Sequence, residues 1–160
     1  MKNAFLLFIT IAFIYSCKSD DNPTNLDCSL VLCAAADNNL YIELINPEND
    51  ESLLDESIEA SSIEILDEQN NEVSFGIEQY STVTYVKVPV SIETFGSKSF
   101  LVNFEGGNPF TISFDTSFSE GGECCGPYTL VENVEVDNFS HDLIELSQLP
   151  LFITIYIPQP

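Results

Sequence analysis

The sequence predicts an all-β fold, a single antiparallel β-sandwich of about eight strands. Three observations carry that expectation. Short runs rich in Val, Ile, Thr, Phe and Tyr recur along the chain, separated by Asn, Asp, Gly and Pro. Within several runs apolar and polar residues alternate, the period of a half-buried strand. No long stretch carries the three-to-four residue spacing of an amphipathic helix.

Each element follows from its own residues. "LYIELI" (40–45) is the first clear strand and closes at Asn46-Pro47. The acidic stretch after it holds Leu53-Leu54, read as a loop or a single helical turn tucked onto the core. "SIEIL" (62–66) alternates. "DEQNNE" (67–72) has turn chemistry, so "VSFGI" (73–77) is expected as its hairpin partner. "STVTYVKVPV" (81–90) is β-branched, with Pro89 suited to a strand terminus. "SKSFLVNFE" (97–105) points Phe100, Val102 and Phe104 to one face, and "PFTISFD" (109–115) answers with Phe110, Ile112 and Phe114. These two runs form the strongest hairpin expectation. "YTLVENVEV" (128–136) and "LFITIYI" (151–157) complete the set, while "DNFSHDLIELSQ" (137–148) reads equally as short helix or loop. The economical architecture is immunoglobulin-like or transthyretin-like, with a jelly roll or small barrel as the alternative. The chain has no tryptophan, so the Cys-Trp-Cys core of antibody domains is absent.

The N-terminus reads "MKNAFLLFITIAFIYSCKSDDN". Lys2 is followed by an apolar run of about 12 residues, shorter than the roughly 20 a membrane-spanning helix needs. It has the length of a signal-peptide core. The expected organisation is a signal peptide at 1–16, a polar tether at 17–27 and the sandwich at 28–160.

Charge narrows the partners. The chain carries 26 acidic residues against four lysines or arginines, for a formal charge of −22. Such a field repels nucleic acid and anionic lipid headgroups. It keeps a protein soluble and self-repelling, or offers a surface to cations and basic partners.

Five cysteines are present. Apart from Cys17 at the end of the signal segment, Cys28, Cys33, Cys124 and Cys125 remain, an even set expected to be disulfide-bonded in an exported chain. Adjacent residues on an extended chain point to opposite faces, and a vicinal bridge distorts the peptide between its cysteines. Crossed bridges from Cys28 and Cys33 to Cys124 and Cys125 are therefore favoured, without a choice between the two arrangements. A four-cysteine zinc site is the rival, but adjacent cysteines fall outside its usual spacing.

No catalytic motif emerges. His141 is the one histidine, and the His141-Asp142 step beside serines does not make a triad. Acid- and amide-rich segments at 37–41, 46–57 and 67–72 raise calcium, yet none has EF-hand spacing. No metal site, catalytic residue or cofactor is expected, and the chain is read as non-enzymatic.

Ile14-Tyr15-Ser16-Cys17 resembles the bacterial lipobox, in which the peptidase cuts before a cysteine whose sulfur carries diacylglycerol. Lys18-Ser19-Asp20-Asp21 looks like the export tag of surface lipoproteins in Bacteroidota. With the cysteine pair before the first strand and "CCGPY" leading into a later one, the chain resembles short surface lipoproteins of that group. The resemblance implies a lipid anchor on Cys17 and an outer-membrane location facing the exterior, with the periplasmic face as alternative. It brings no activity with it. The expected role is a structural or binding accessory, with an outer-membrane protein as possible partner. The alternative is a glycan- or calcium-binding module that uses loops at one end of the sandwich.

Overall fold

Strand β1 (Asn39–Asn46) alternates Leu40, Ile42 and Leu44 into the core, each at most 1% exposed, and is the central strand of the larger sheet. The structure is a computed structural model of the 160-residue chain and describes residues 28, 33, 37–56, 58–144 and 147–158. The expected signal peptide, Cys17 and the tether lie outside the described residues. The chain divides into residues 1–32 and 33–160. Cys28 is the one described residue of the first unit and is exposed; everything below concerns the second.

After β1 come β2 (Glu51–Ser52), the single helical turn α1 (Leu53–Glu56), a 3-10 turn at Ala60–Ser62 and β3 (Ile63–Leu66). Then follow β4 (Gly76–Tyr80), β5 (Val83–Pro89), β6 (Gly96–Phe104), β7 (Phe110–Ser119), β8 (Tyr128–Val136), β9 (Ser140–Leu143) and β10 (Leu151–Tyr156). One sheet has six strands in the order β4-β5-β1-β10-β9, with β2 also on β1; the other has four in the order β3-β6-β7-β8. The fold is a β-sandwich of two sheets.

The core is the meeting of the two inner faces. Val86, Val88, Leu151, Ile153 and Ile155 join the β1 residues from one side, and Ile65, Phe100, Val102, Phe110, Ile112 and Phe114 oppose them. Each such side chain contributes roughly 1.5–3 kcal/mol on burial. The β6–β7 hairpin pairs in the expected register, Phe100 opposite Ile112 and Val102 opposite Phe110. Leu53 of α1 is 3% exposed and packs on the same core.

Three details depart from the sequence expectations. Residues 73–75 do not pair as a strand with β3. The Asp67 carboxylate accepts the Gln69 and Asn71 N–H groups, both at 2.8 Å, and closes the turn. After one bond from Val73 N–H to the Ile65 carbonyl, the chain leaves; β4 begins at Gly76 and pairs with β5 in the other sheet. The polar segment read as helix or loop contains β9, which pairs with β10. Finally, β1 and β10 run parallel, Leu40 beside Leu151 through Ile45 beside Tyr156, whereas every other strand pair among the described residues is antiparallel. A parallel pair needs a long connection, and here the intervening chain builds the second sheet.

Candidate functional site

A cavity of about 620 Å³ opens at one end of the sandwich. The starts of β1, β6, β8 and β10 and the ends of β5 and β7 gather there, because those strands begin or stop beside its lining residues. Ile92 and Phe95 come from the β5–β6 crossover, and Phe118 from the end of β7. These three are 42%, 45% and 55% exposed, which is unusual for large apolar side chains and marks the rim as available. The Phe95 and Phe118 rings lie 6.1 Å apart. Tyr128 and Thr129 at the start of β8, and Leu149 before β10, extend the apolar wall. Asp37, Asn38 and Gln148 supply the polar edge.

The cysteines hold this end together. Cys33 and Cys125 form a disulfide with Cα atoms 5.4 Å apart, and both line the cavity. Cys28 and Cys124 are also in disulfide form. The Cys33–Cys125 bridge is of the crossed kind: it ties the segment before β1, in one sheet, to the β7–β8 loop of the other. The "EGGECCGPY" loop presents the cysteines through a close backbone approach. Gly121 and Gly126 adopt φ of +84° and +135°. A Cβ on Gly121 would stand 2.1 Å from the Cys125 carbonyl oxygen, and one on Gly126 would stand 2.6 Å from that of Glu120. The Gly122 N–H donates to the Cys125 carbonyl at 2.7 Å, locking the loop.

A second cluster stands on the outer face of the six-stranded sheet. Tyr41 of β1 points away from the core, yet it is 0% exposed. Phe152 of β10 stacks on it at 4.7 Å, while Tyr80 of β4 and Tyr85 of β5 meet it edge-on at 5.6 and 6.0 Å. Its hydroxyl donates to Asp37 at 2.7 Å. Burial, and then that hydrogen bond, hold the Tyr41 hydroxyl well above the ordinary tyrosine range. Burial also raises Tyr85, with Glu43 adding to the effect. Lys87 places its ammonium 5.6 Å from the centre of the Tyr41 ring and 2.7 Å from Glu78. The hydrogen bond from Lys87 to Glu78 raises the lysine above its usual value.

The acid-rich loops do not converge on an ion. Asp67 serves its own turn, Asn46 accepts the Glu48 N–H at 3.0 Å, and Asp37 is engaged by Tyr41 and the Asn39 amide. Among the described residues, no group of three metal-ligating side chains gathers. His141 lies in β9 opposite the inward-facing Ile155, and Asp142 pairs opposite Thr154 on the other face. Neighbours on a strand point apart, so the two do not form a dyad. Instead Asp142 accepts the Tyr156 hydroxyl at 2.9 Å, which raises the tyrosine above its ordinary value.

No family model, curated protein or solved structure matches this chain.

Proposed function

We propose that this chain is an exported lipoprotein, anchored through Cys17 at the outer membrane and facing the exterior, that acts by binding rather than catalysis. The end cavity is its binding site. The observation that carries this reading is the pairing of an open apolar cavity with a disulfide tie across its wall, because a site held by covalent cross-linking keeps its shape without a ligand. Disulfide-bonded Cys28, Cys33, Cys124 and Cys125 also suit an oxidising location outside the cytoplasm. The ligand that fits is compact and uncharged, with an apolar face for Phe95 and Phe118 and hydroxyl or carbonyl groups for Asn38 and Gln148. The charge of −22 disfavours an anion.

A glycan is the second reading, favoured by the two exposed rings beside amide side chains. A sugar ring presents C–H groups to an aromatic face and hydroxyls to amides.

Mass spectrometry of the protein isolated from its native membrane tests the anchor. A diacylglycerol thioether on an N-terminal Cys17 is expected; an unmodified cysteine or a retained leader would overturn it. For the cavity, a neutral naphthalene dye and a panel of neutral oligosaccharides are titrated against the wild type and Phe118→Ala. At least a tenfold loss of affinity in the variant is expected for whichever probe binds. Equal binding by both proteins would refute the site.

A further inference from the structure

We infer that the outer face of the six-stranded sheet is a docking surface for a basic protein segment, whose Lys or Arg side chains lie over tyrosine rings and pair with the carboxylates around them. This inference uses a different surface from the end cavity and does not depend on it.

The patch offers accessible ring surface around one covered ring. Tyr41 is wholly covered, whereas Tyr80 at its margin is 47% exposed and Tyr85 and Phe152 are half-buried. Tyrosine supplies large contact area at small entropic cost, and tyrosines are enriched where binding energy concentrates. Four of the chain's six tyrosines, Tyr41, Tyr80, Tyr85 and Tyr156, stand on this face. Carboxylates surround them: Glu78 beside Tyr85, Glu43 bonded to Thr154 at 2.7 Å, and Asp142 bonded to Tyr156.

The face already holds one cation in the proposed manner. Lys87 rests over the Tyr41 ring while Glu78 takes its charge. A ring face combined with a carboxylate is the environment that stabilises an ammonium or guanidinium. The chain has few further cations to offer. Among the described residues Lys98 is the other lysine, and it is buried on the inner face of the opposite sheet. No described cation pairs with Glu43 or Asp142. The complement to this face therefore comes from outside and is positive. A second copy of the chain, at −22, is repelled. A neutral glycan could donate hydroxyls to the carboxylates but would leave their charge unneutralised.

The test uses the full-length exported protein in neutral detergent at about 0.15 M salt, where long-range attraction is screened beyond roughly 8 Å. The probe is a hexa-arginine peptide, read by tyrosine fluorescence, to which this face supplies most of the signal. Saturable binding is expected, weakened at least tenfold by Tyr80→Ala and by Glu43→Gln with Asp142→Asn. Tyr80→Phe keeps the ring and stays within twofold of wild type. Glu64→Gln with Glu105→Gln removes the same charge from the other sheet and also stays within twofold. If the two charge-matched pairs weaken binding equally, or if Tyr80→Ala does not weaken it, the peptide reads net charge alone and the inference falls. Binding of a neutral oligosaccharide at this face, lost in Tyr80→Ala, would overturn it in favour of a glycan. Tyr80 is half-exposed, so its replacement leaves the fold intact, and circular dichroism of each variant checks this.

Discussion

Tyr41 and Phe152 stack ring on ring on the solvent side of a sheet, 4.7 Å apart and 11° from parallel, at directly paired positions of the parallel strands β1 and β10. The contact makes a small second core outside the main one. Tyr41→Ala should therefore behave as a core truncation and cost about 3 kcal/mol. Tyr41→Phe keeps the stack and loses the hydroxyl's interactions with Asp37 and Tyr80, chiefly the bond to the carboxylate, worth about 1.5–3 kcal/mol. Urea denaturation with an unchanged slope checks both values. A loss under about 1 kcal/mol for the alanine variant would mean the rings are a loose cover.

Much of the sandwich is legible in the sequence because its inner faces follow the period of two. Phe100, Val102, Phe104 and Phe110, Ile112, Phe114 name both the strands and their pairing. The misread parts lack that signal. The side chains of Val73 and Phe75 alternate like a strand, but they pack onto the core from an irregular segment. β9 is short and polar, and only its pairing with β10 makes it a strand. Parallel pairing of β1 and β10 depends on the whole intervening chain, which no local pattern encodes. The cysteines and glycines of the cavity loop were readable; its rim was not, since Ile92 and Phe95 lie in an irregular segment and Phe118 continues the inward parity of β7 beyond the point where the core covers it. The outer aromatic patch did leave a trace. "LYIELI" and "LFITIYI" are apolar at nearly every position, a sign that both faces of those strands are covered.

Alkaline pH should weaken the fold. The Tyr41 hydroxyl is held above its ordinary value in the folded state, so the unfolded chain loses that proton first as pH rises past about 10. Above that point the unfolded state binds fewer protons than the native one, and stability falls with further increase in pH. Lys87 acts in the same direction. Raised by Glu78, it contributes fully below about 10.4 and its contribution is lost as pH climbs through the folded value. Unfolding should begin above pH ~10 and coincide with a step in tyrosinate absorbance. Tyr41→Phe should be less stable at neutral pH, yet lose less stability between neutral and alkaline pH than wild type. Equal slopes for the two proteins would show that Tyr41 is not the responsive group.

The loop that carries Cys124 and Cys125 should be sensitive at its glycines. Gly126→Ala forces a side chain into a φ of +135° and against the Glu120 carbonyl. The expected cost exceeds about 1 kcal/mol. Because the loop presents the cysteines, the variant should also be reduced faster by a thiol reagent. Complete reduction of the wild type frees a loop with a sequence separation of 92 and should remove about 4–5 kcal/mol in the chain-entropy model. Denaturation with and without reductant measures that loss. A Gly126→Ala protein reduced at the wild-type rate would mean that the loop reshapes without exposing the bridge.

Lys98 sets two electrostatic effects against each other. It occupies an inward position of β6 opposite Phe114, is 5% exposed, and reaches Thr94 by a 3.3 Å hydrogen bond. No carboxylate lies within ion-pairing distance of it among the described residues. Removing a cation from water without a paired anion costs on the order of several kcal/mol after relaxation, a penalty that an apolar side chain of similar volume does not carry. Opposing this, the chain's net charge of −22 creates a field that favours any cation. That field acts through solvent and is screened beyond roughly 8 Å at physiological salt, whereas the desolvation of Lys98 is local and unscreened. The local effect should win. Lys98→Met is expected to stabilise the fold by about 1 kcal/mol or more at physiological salt. At low salt the long-range field is stronger, so the gain should shrink. Urea midpoints for both proteins at two ionic strengths decide it: a variant less stable than wild type at physiological salt would show that the acidic surface holds this lysine in place.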